Sequence, residues 1–213
     1  AVEFGVNFDD LYLSDLNIDA RNFRIAGDTI AITINGLNCT DQSGFKLDNL
    51  RADLSLCSKY MNFGKLRIQA HGSNIKLDHL NMAYNGWKQF SNFVNNVKLD
   101  AEFTNTYVKT STLAYIIPAA KKVNLAATLD GKIKGTVSDF SGKNVRVTMG
   151  AQTLLSTNFS VTGLPNIDQA LMIIDIKELS TTRNDIMSVK DTGNVKPLLN
   201  VPKELEVLGK VTY

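Results

Sequence analysis

The sequence predicts an all-β protein built as an antiparallel meander, and three observations support this prediction. Apolar residues alternate with Asn, Asp, Thr or Lys along most of the chain, the period-two pattern of strands that bury one face. Short turn-forming sequences separate the alternating segments, and helical spacing is confined to short stretches. We therefore expect consecutive strands joined mainly by hairpin turns.

The alternating segments define the predicted strands. Successive strand residues point to opposite sides, so each segment places its apolar side chains on one face. In chain order the segments are Ile30-Ile32-Ile34, Leu50-Ala52-Leu54-Leu56, Leu66-Ile68-Ala70, Val97-Leu99-Ala101-Phe103, Val123-Leu125-Ala127-Leu129, Val145-Val147-Met149 and Phe159-Val161.

Turn-forming residues lie between these segments. They predict turns at 26–28, 41–44, 71–74, 130–131, 140–143 and 149–150. Asp-Gly and Ser-Gly steps tolerate the positive φ of tight hairpins, so neighbouring strands should be antiparallel.

Four short helices interrupt the predicted strands. The first covers 86–95, where Trp87, Phe90 and Phe93 fall at helical spacing. The second begins near Thr110, and Pro118 kinks or ends it. The third begins at Thr182, with Asp185 at capping spacing. The fourth covers 202–208, with Pro202 in the first turn and Gly209 past the end.

Length and composition predict a folded β-protein and leave the number of domains open. The 213 residues suit one large β-domain or two small ones, and we expect a single elongated domain over 1–213, with a possible subdivision near 96–110. The net charge is +2 with dispersed basic residues, which argues against a nucleic-acid partner. The sequence shows no bilayer-spanning apolar run and no signal peptide, so the chain is either cytosolic or separated from its targeting segments.

The two cysteines, Cys39 and Cys57, exclude a disulfide-rich scaffold. Both are out of phase with the apolar residues before them, which predicts that they face away from the apolar side. A disulfide between them would also require their two strands to lie side by side. Alternation does not show this, so it neither predicts nor excludes the bridge.

Residues with catalytic or metal-binding chemistry are sparse. His71 and His79 could lie on adjacent strands, but no further Cys or carboxylate stands at zinc-site spacing, which favours surface or turn histidines. Asp9, Asp10 and Asp15 lack the pattern of an EF-hand loop and fit solvated strand ends. No nucleophile elbow, phosphate-binding loop or dinucleotide motif occurs. We therefore expect a protein that is not an enzyme and uses neither metal nor cofactor.

The repeated apolar face has two interpretations. Two sheets stacked about 10 Å apart would bury it as the core of a closed β-sandwich, which the pattern alone favours. Alternatively, the sheet stays open and acyl chains replace part of the core, each buried methylene contributing about 0.8 kcal/mol. The residues that would then line the groove are Ile30, Ile32, Ile34, Leu50, Leu54, Leu56, Leu66, Ile68, Leu99, Phe103, Leu125, Leu129, Val145, Val147, Phe159 and Val161.

Several short segments resemble the TamB-like proteins of Bacteroidetes, within the AsmA-like group. They occur in the order expected for that family, and this order carries the resemblance because each segment is a strand edge with a turn. The segments are Asp41-Gln42-Ser43-Gly44-Phe45-Lys46-Leu47 followed by Leu50, Leu66-Arg67-Ile68, Ser73-Asn74-Ile75, Tyr115-Ile116-Ile117-Pro118, 131–137 and 163–168.

The resemblance implies an open β-sheet trough rather than a closed sandwich. It also implies a periplasmic segment of a longer Gram-negative envelope protein anchored to the inner membrane, without the anchor and C-terminal domain of the family. Its expected role is phospholipid transport between the inner and outer membranes, with acyl chains in the groove. The alternative is a scaffold or chaperone that pairs its sheet edges with outer-membrane proteins. An outer-membrane barrel partner would be bound through regions absent here.

Overall fold

The protein folds as a single antiparallel sheet. A computed structural model describes residues 12–115, 121, 124–164, 166, 169–188 and 204–212, with backbone alone for 186–188 and 204–212. The strands are β1 (Leu13–Ala26), β2 (Thr29–Asp41), β3 (Lys46–Leu56), β4 (Tyr60–Ala70), β5 (Ser73–Ala83), β6 (Lys98–Lys109), β7 (Ala126–Gly135), β8 (Asp139–Met149), β9 (Thr153–Thr162), β10 (Leu171–Thr182) and β11 (Glu204–Thr212).

Each strand pairs with its neighbours in sequence. The spatial order of the 11-stranded sheet is β1 through β11, so β1 and β11 are its edges and the sheet does not close into a barrel. The described residues form no second sheet that could complete a sandwich. The prediction of an open all-β meander is confirmed, and the closed sandwich is not formed.

Short helices occupy three connections. A 3₁₀ helix (Trp87–Asn92) and α1 (Phe93–Asn96) link β5 to β6, α2 (Thr110–Leu113) follows β6, and α3 (Arg183–Ser188) follows β10. These match three of the predicted helices, although 116–118 lie outside the described residues. The Thr182 hydroxyl accepts the Asp185 amide at 3.3 Å, as the capping spacing predicts.

The helix predicted at 202–208 is wrong. Glu204–Thr212 forms β11, which pairs with β10 from Thr182↔Glu204 to Ile173↔Thr212. The edge of β10 offers backbone hydrogen bonds that a helix would leave unused, and this tertiary pairing overrides the helical end signals at Pro202 and Gly209. Pro202 itself lies outside the described residues.

Bulges cross the middle of the sheet from strand to strand. Register shifts occur beside Gly36, Lys65, Asn105, Gly131 and Asn144, and all of these except Gly36 have positive φ. A bulge bends its strand and increases the local twist. We call this row of irregular positions the bulge line.

The bulge line overturns two predicted turns. Asp130-Gly131 lies inside β7, and 140–143 lies inside β8. Gly131 has a φ of 133°, and a Cβ there would collide with the backbone of Val145. The glycine accommodates a bulge and a close strand approach rather than a chain reversal.

The bulge at Gly36 makes the predicted orientation of Cys39 wrong. The register shift between Ile34 and Leu37 reverses the alternation, so Cys39 pairs with Leu47 on the apolar face instead of facing away from it. Cys57 lies past the end of β3 and is buried. Both thiols are free.

Side chains supply hydrogen bonds that the bulges remove from the ladder. The Asn105 amide donates to Asp130 Oδ1 at 2.7 Å, and the Asn144 amide donates to Asn158 Oδ1 at 2.8 Å. Thr106 Oγ1 accepts from the Lys76 amide at 3.0 Å and donates to the Lys76 carbonyl at 2.7 Å. Bent strands thus keep their backbone groups satisfied.

Thr106→Val should lower the free energy of unfolding by about 1 to 3 kcal/mol, because it leaves the Lys76 amide and carbonyl unpaired beside a side chain of the same shape. Thr106 is only 2% exposed, so water cannot readily replace the hydroxyl. Urea unfolding measures the change. Thr104→Val is the matched control, since Thr104 is exposed and bonds to Asp78. Equal effects of the two substitutions would contradict a specific role for Thr106.

Buried side chains follow the bulge line on the apolar side. Leu66, Leu77, Ala52 and Ala101 form a buried cluster at 3 to 5% exposure. In a sheet with no second layer, side chains become this buried where the sheet bends toward them. The apolar face is therefore concave along this line, and we call its buried residues the floor: Ile34, Ala52, Leu66, Leu77, Thr106, Val145 and Thr157.

Candidate functional site, an apolar trough

One wall of the concave face is an unbroken apolar ladder from β2 to β10. Directly paired residues of antiparallel strands lie on the same face, so the register identifies its members. In spatial order they are Ile32, Leu54, Phe63, Leu80, Ala101, Ile133, Gly142, Phe159 and Ile174. A second row lies beside it, nearer the strand ends: Ile25, Ile30, Leu56, Met61, Met82, Leu99, Gly135, Phe140, Val161 and Met172. These two rows are the first wall.

The second wall lies across the bulge line and has two apolar parts. Leu37, Leu50, Ile68 and Ile75 are paired in sequence across β2 to β5. Leu129, Val147, Leu155 and Leu179 continue the same side across β7 to β10. The floor and the two walls together form the trough.

Most wall side chains are less buried than the floor, and the exceptions are Ala101 and Val161 at 5% and 3% exposure. Leu54, Phe63, Ile133 and Phe159 are half-buried, whereas Leu66 on the floor is 3% exposed. Within the part of the chain that the structure describes, strand contacts run between sequence neighbours and no layer covers the walls. The trough therefore presents apolar side chains to its open side.

The glycine of the first wall is covered by an aromatic ring. A Cβ at Gly142 would collide with the ring of Phe159 on the neighbouring strand. Phe159 also contacts Phe140 edge to face, with ring centroids 5.9 Å apart. Gly142 therefore lets Phe159 lie flat and keeps the wall continuous where the ladder has no side chain.

The structure places almost all the predicted groove residues on this concave face. Ile30, Ile32, Leu54, Leu56, Leu99, Phe159 and Val161 belong to the first wall, Leu50, Ile68, Leu129 and Val147 to the second, and Ile34, Leu66 and Val145 to the floor. Phe103 pairs with the floor residue Leu77. Leu125 is the exception, because it precedes β7 and its backbone bonds to Thr110, the first residue of α2.

The alternating pattern does not identify every wall residue. Phe63 and Met61 lie on the same face as Leu66, but the bulge at Lys65 breaks the alternation between them. Leu80 and Met82 belong to β5, which the alternation did not predict at all. In both strands two apolar residues stand three positions apart, Phe63 and Leu66 in β4 and Leu77 and Leu80 in β5. This spacing is the sequence signal that marks the break in alternation.

The opposite face is polar and carries His79. Its Nε2 and Nδ1 lie 3.5 Å from Asp100 and 3.7 Å from Glu102, and Lys134 and Lys132 pair with the same two acids at 2.8 and 3.2 Å. The hydrogen bond from Lys134 is the main reason that the pKa of Asp100 is lowered. The lysines and the acids form ion pairs between β6 and β7, and His79 of β5 lies against both acids.

His71 lies in the turn between β4 and β5. Its Nε2 accepts the Lys46 amide at 2.9 Å, and its ring stacks on Tyr115 at 4.6 Å. Among the described residues, no group of His, Cys, Asp and Glu is arranged to hold a metal ion. Asp15 lies within β1 at a positive-φ position, and Asp9 and Asp10 lie outside the described residues.

Asp185 fastens α3 to the turn between β8 and β9. Its carboxylate accepts the Ala151 amide at 3.0 Å, the Gln152 amide at 2.9 Å and the Thr153 hydroxyl at 2.9 Å. These bonds, led by that of Ala151, hold the pKa of Asp185 below its ordinary value. The end of β10 is thereby joined to the neighbouring hairpin.

The Asp185 contact should weaken in acid. A carboxyl whose pKa is lower in the folded than in the unfolded state stabilises the fold above its unfolded pKa of about 3.9, and this contribution is lost as pH falls through the folded pKa. We expect Asp185→Asn to lower the thermal midpoint at pH 7, and the gap from wild type to shrink below about pH 4. Melting curves across pH test this. The exposed Asp175→Asn is the control, and a gap independent of pH would contradict the assignment.

No described helix is long and apolar enough to cross a bilayer. Comparison with protein-family models, curated proteins and solved structures found no match to this chain.

Proposed function

We propose that the trough binds lipid acyl chains and serves as a non-catalytic segment of a phospholipid conduit. The unbroken apolar ladder of the first wall carries this proposal. A closed core would need only local patches, whereas a conduit needs an apolar path that no strand interrupts.

The energetics favour a long apolar ligand. The walls leave Leu54, Phe63 and Phe159 partly in contact with water, and burying apolar surface yields about 25 cal/mol per Å². An acyl chain of about sixteen carbons gains on the order of 10 kcal/mol in a fully dry groove, at about 0.8 kcal/mol per methylene. Headgroups would remain in water at the open side.

The dimensions favour movement along the trough. Strands lie about 4.8 Å apart, so a ladder from β2 to β10 is roughly 38 Å long. The hydrocarbon layer of one leaflet is about 15 Å thick, half of a bilayer core. A single acyl chain would thus occupy part of the ladder and leave further apolar positions ahead of it.

The resemblance of the sequence to TamB-like and AsmA-like proteins supports a cellular setting for this activity. We propose a periplasmic location within a longer protein anchored to the inner membrane, carrying phospholipid toward the outer membrane. A barrel partner in the outer membrane would be contacted by other parts of that protein.

Binding of a fluorescent acyl probe tests the proposal. We expect saturable binding that unlabelled phospholipid displaces, and phospholipid in solvent extracts of the purified chain. Probe fluorescence that never saturates, together with extracts free of lipid, would overturn it.

A second candidate function is a scaffold for extended segments of outer-membrane proteins. The exposed edge strand β1 supports it, since Leu16, Ile18 and Phe23 are all more than half exposed. An open edge can accept another strand through backbone hydrogen bonds. Client-peptide binding that survives the loss of lipid binding would favour this function over the conduit.

A further inference from the structure

An aromatic cluster projects from the rim of the first wall. The connection between β5 and β6 contains Trp87, Phe90 and Phe93, and their rings form a chain with Tyr84 at centroid distances of 4.7 to 6.0 Å. The Tyr84 hydroxyl bonds to the carbonyls of Cys57 and Tyr60 at 2.8 and 2.9 Å. The cluster is therefore built on a fixed base.

The adjacent hairpin also holds this connection. The Val94 carbonyl accepts the Ser138 amide, from the turn between β7 and β8, at 3.0 Å. The connection begins just after Met82 and ends just before Leu99, which pair with each other in the first wall. The cluster is thus a fixed part of the rim beside half-buried wall residues.

The outer side of the cluster combines an exposed indole with positive charge. Trp87 is 51% exposed, although its ring contacts Tyr84 and Phe90. Lys88 and, from the turn between β3 and β4, Lys59 are exposed and form no ion pair with any described residue. The segment 84–98 contains no Asp or Glu. Ser58, next to Lys59, donates to Asp28 Oδ2 at 3.2 Å.

We propose that this cluster, Trp87 with Lys88 and Lys59, is the surface by which the trough contacts a bilayer carrying anionic headgroups. Tryptophan prefers the boundary between headgroups and hydrocarbon, and lysine is attracted to anionic lipid. The role of this contact rests on the proposed lipid-binding function, because a lipid that leaves the bilayer here would meet the first wall directly. The contact itself can be measured separately.

Intrinsic fluorescence gives a direct test, because Trp87 is the single tryptophan of the chain. We expect vesicles of phosphatidylcholine with phosphatidylglycerol to shift its emission to the blue, shield it from acrylamide and sediment the chain. Vesicles of phosphatidylcholine alone should do so much less. No shift and no sedimentation with the anionic vesicles would overturn the proposal.

Charge variants locate the contact. Lys59→Gln with Lys88→Gln should weaken sedimentation with anionic vesicles by about tenfold or more, at about 1 kcal/mol for each lysine near the surface. Lys143→Gln with Lys177→Gln removes the same charge from exposed positions on other strands and should have little effect. Equal losses in the two double variants would indicate diffuse attraction and reject the site.

The Leu54→Asp variant separates this proposal from the proposed function. It should lose acyl-probe binding and keep vesicle binding. If the wild-type chain binds vesicles but no acyl probe, the conduit function is rejected and the bilayer contact is retained.

Discussion

Leu66→Ala should lower the free energy of unfolding by about 3 kcal/mol, within the range of about 2 to 5 kcal/mol for buried leucines. Leu66 is 3% exposed and lies in the buried cluster with Ala52, Leu77 and Ala101. Two of these neighbours are alanines, whose short side chains cannot move in to fill the space. The truncation therefore leaves a cavity at the bend.

Urea unfolding followed by circular dichroism measures the loss, provided that the slope with denaturant is unchanged. Leu171→Ala is the matched control, because it removes the same atoms from a side chain that is 48% exposed. We expect the control to cost less than about 1 kcal/mol, since little apolar surface returns to water. A loss at Leu66 no larger than that at Leu171 would contradict a packed floor.

Leu54→Asp should reduce binding of the acyl probe at least tenfold. Leu54 lies in the middle of the first wall between Ile32 and Phe63. An acyl chain seated there would strip water from the carboxylate, and burying an uncompensated charge costs several kcal/mol, where about 1.4 kcal/mol is a factor of ten. Because Leu54 is only half-buried in the free chain, the carboxylate remains hydrated and folding is preserved.

The neighbouring Ser55→Asp is the control for this variant. Ser55 pairs with Ala31 and Asn62, so it points to the polar face while adding the same charge to the same strand. Titration with the probe should separate the two variants clearly, while their thermal midpoints stay similar. Undiminished probe binding by Leu54→Asp would mean that acyl chains do not use the first wall.

Alternation made the strands and the apolar face predictable, because burying one side of a sheet imposes a local period of two. Ile30, Ile32 and Ile34 illustrate this, since their partners Leu56, Leu54 and Ala52 repeat the pattern on the next strand. Helices beginning at Thr110 and after Thr182 were also predictable from capping and spacing.

Bulges limited the prediction, because they change the facing of a strand without changing its composition. For this reason alternation predicts the wrong face for Cys39. Asp130-Gly131 likewise predicts a hairpin turn, although it lies within β7. Asp-Gly tolerates positive φ both in a hairpin turn and in a bulge within a strand. Only the pairing with neighbouring strands decides which of the two forms. The missing β5 and the wrong helix at 202–208 likewise depend on pairing partners distant in the sequence.

The strictly sequential order of the strands also determines how the molecule can lose its structure. Each strand is held by the one before it and the one after it, and the described residues make no ladder from β1 to β11. Such an arrangement resembles a linear array, in which stability is nearly a sum of neighbouring interfaces. Unfolding can therefore start at either edge and proceed one hairpin at a time, while the interior strands keep their pairing.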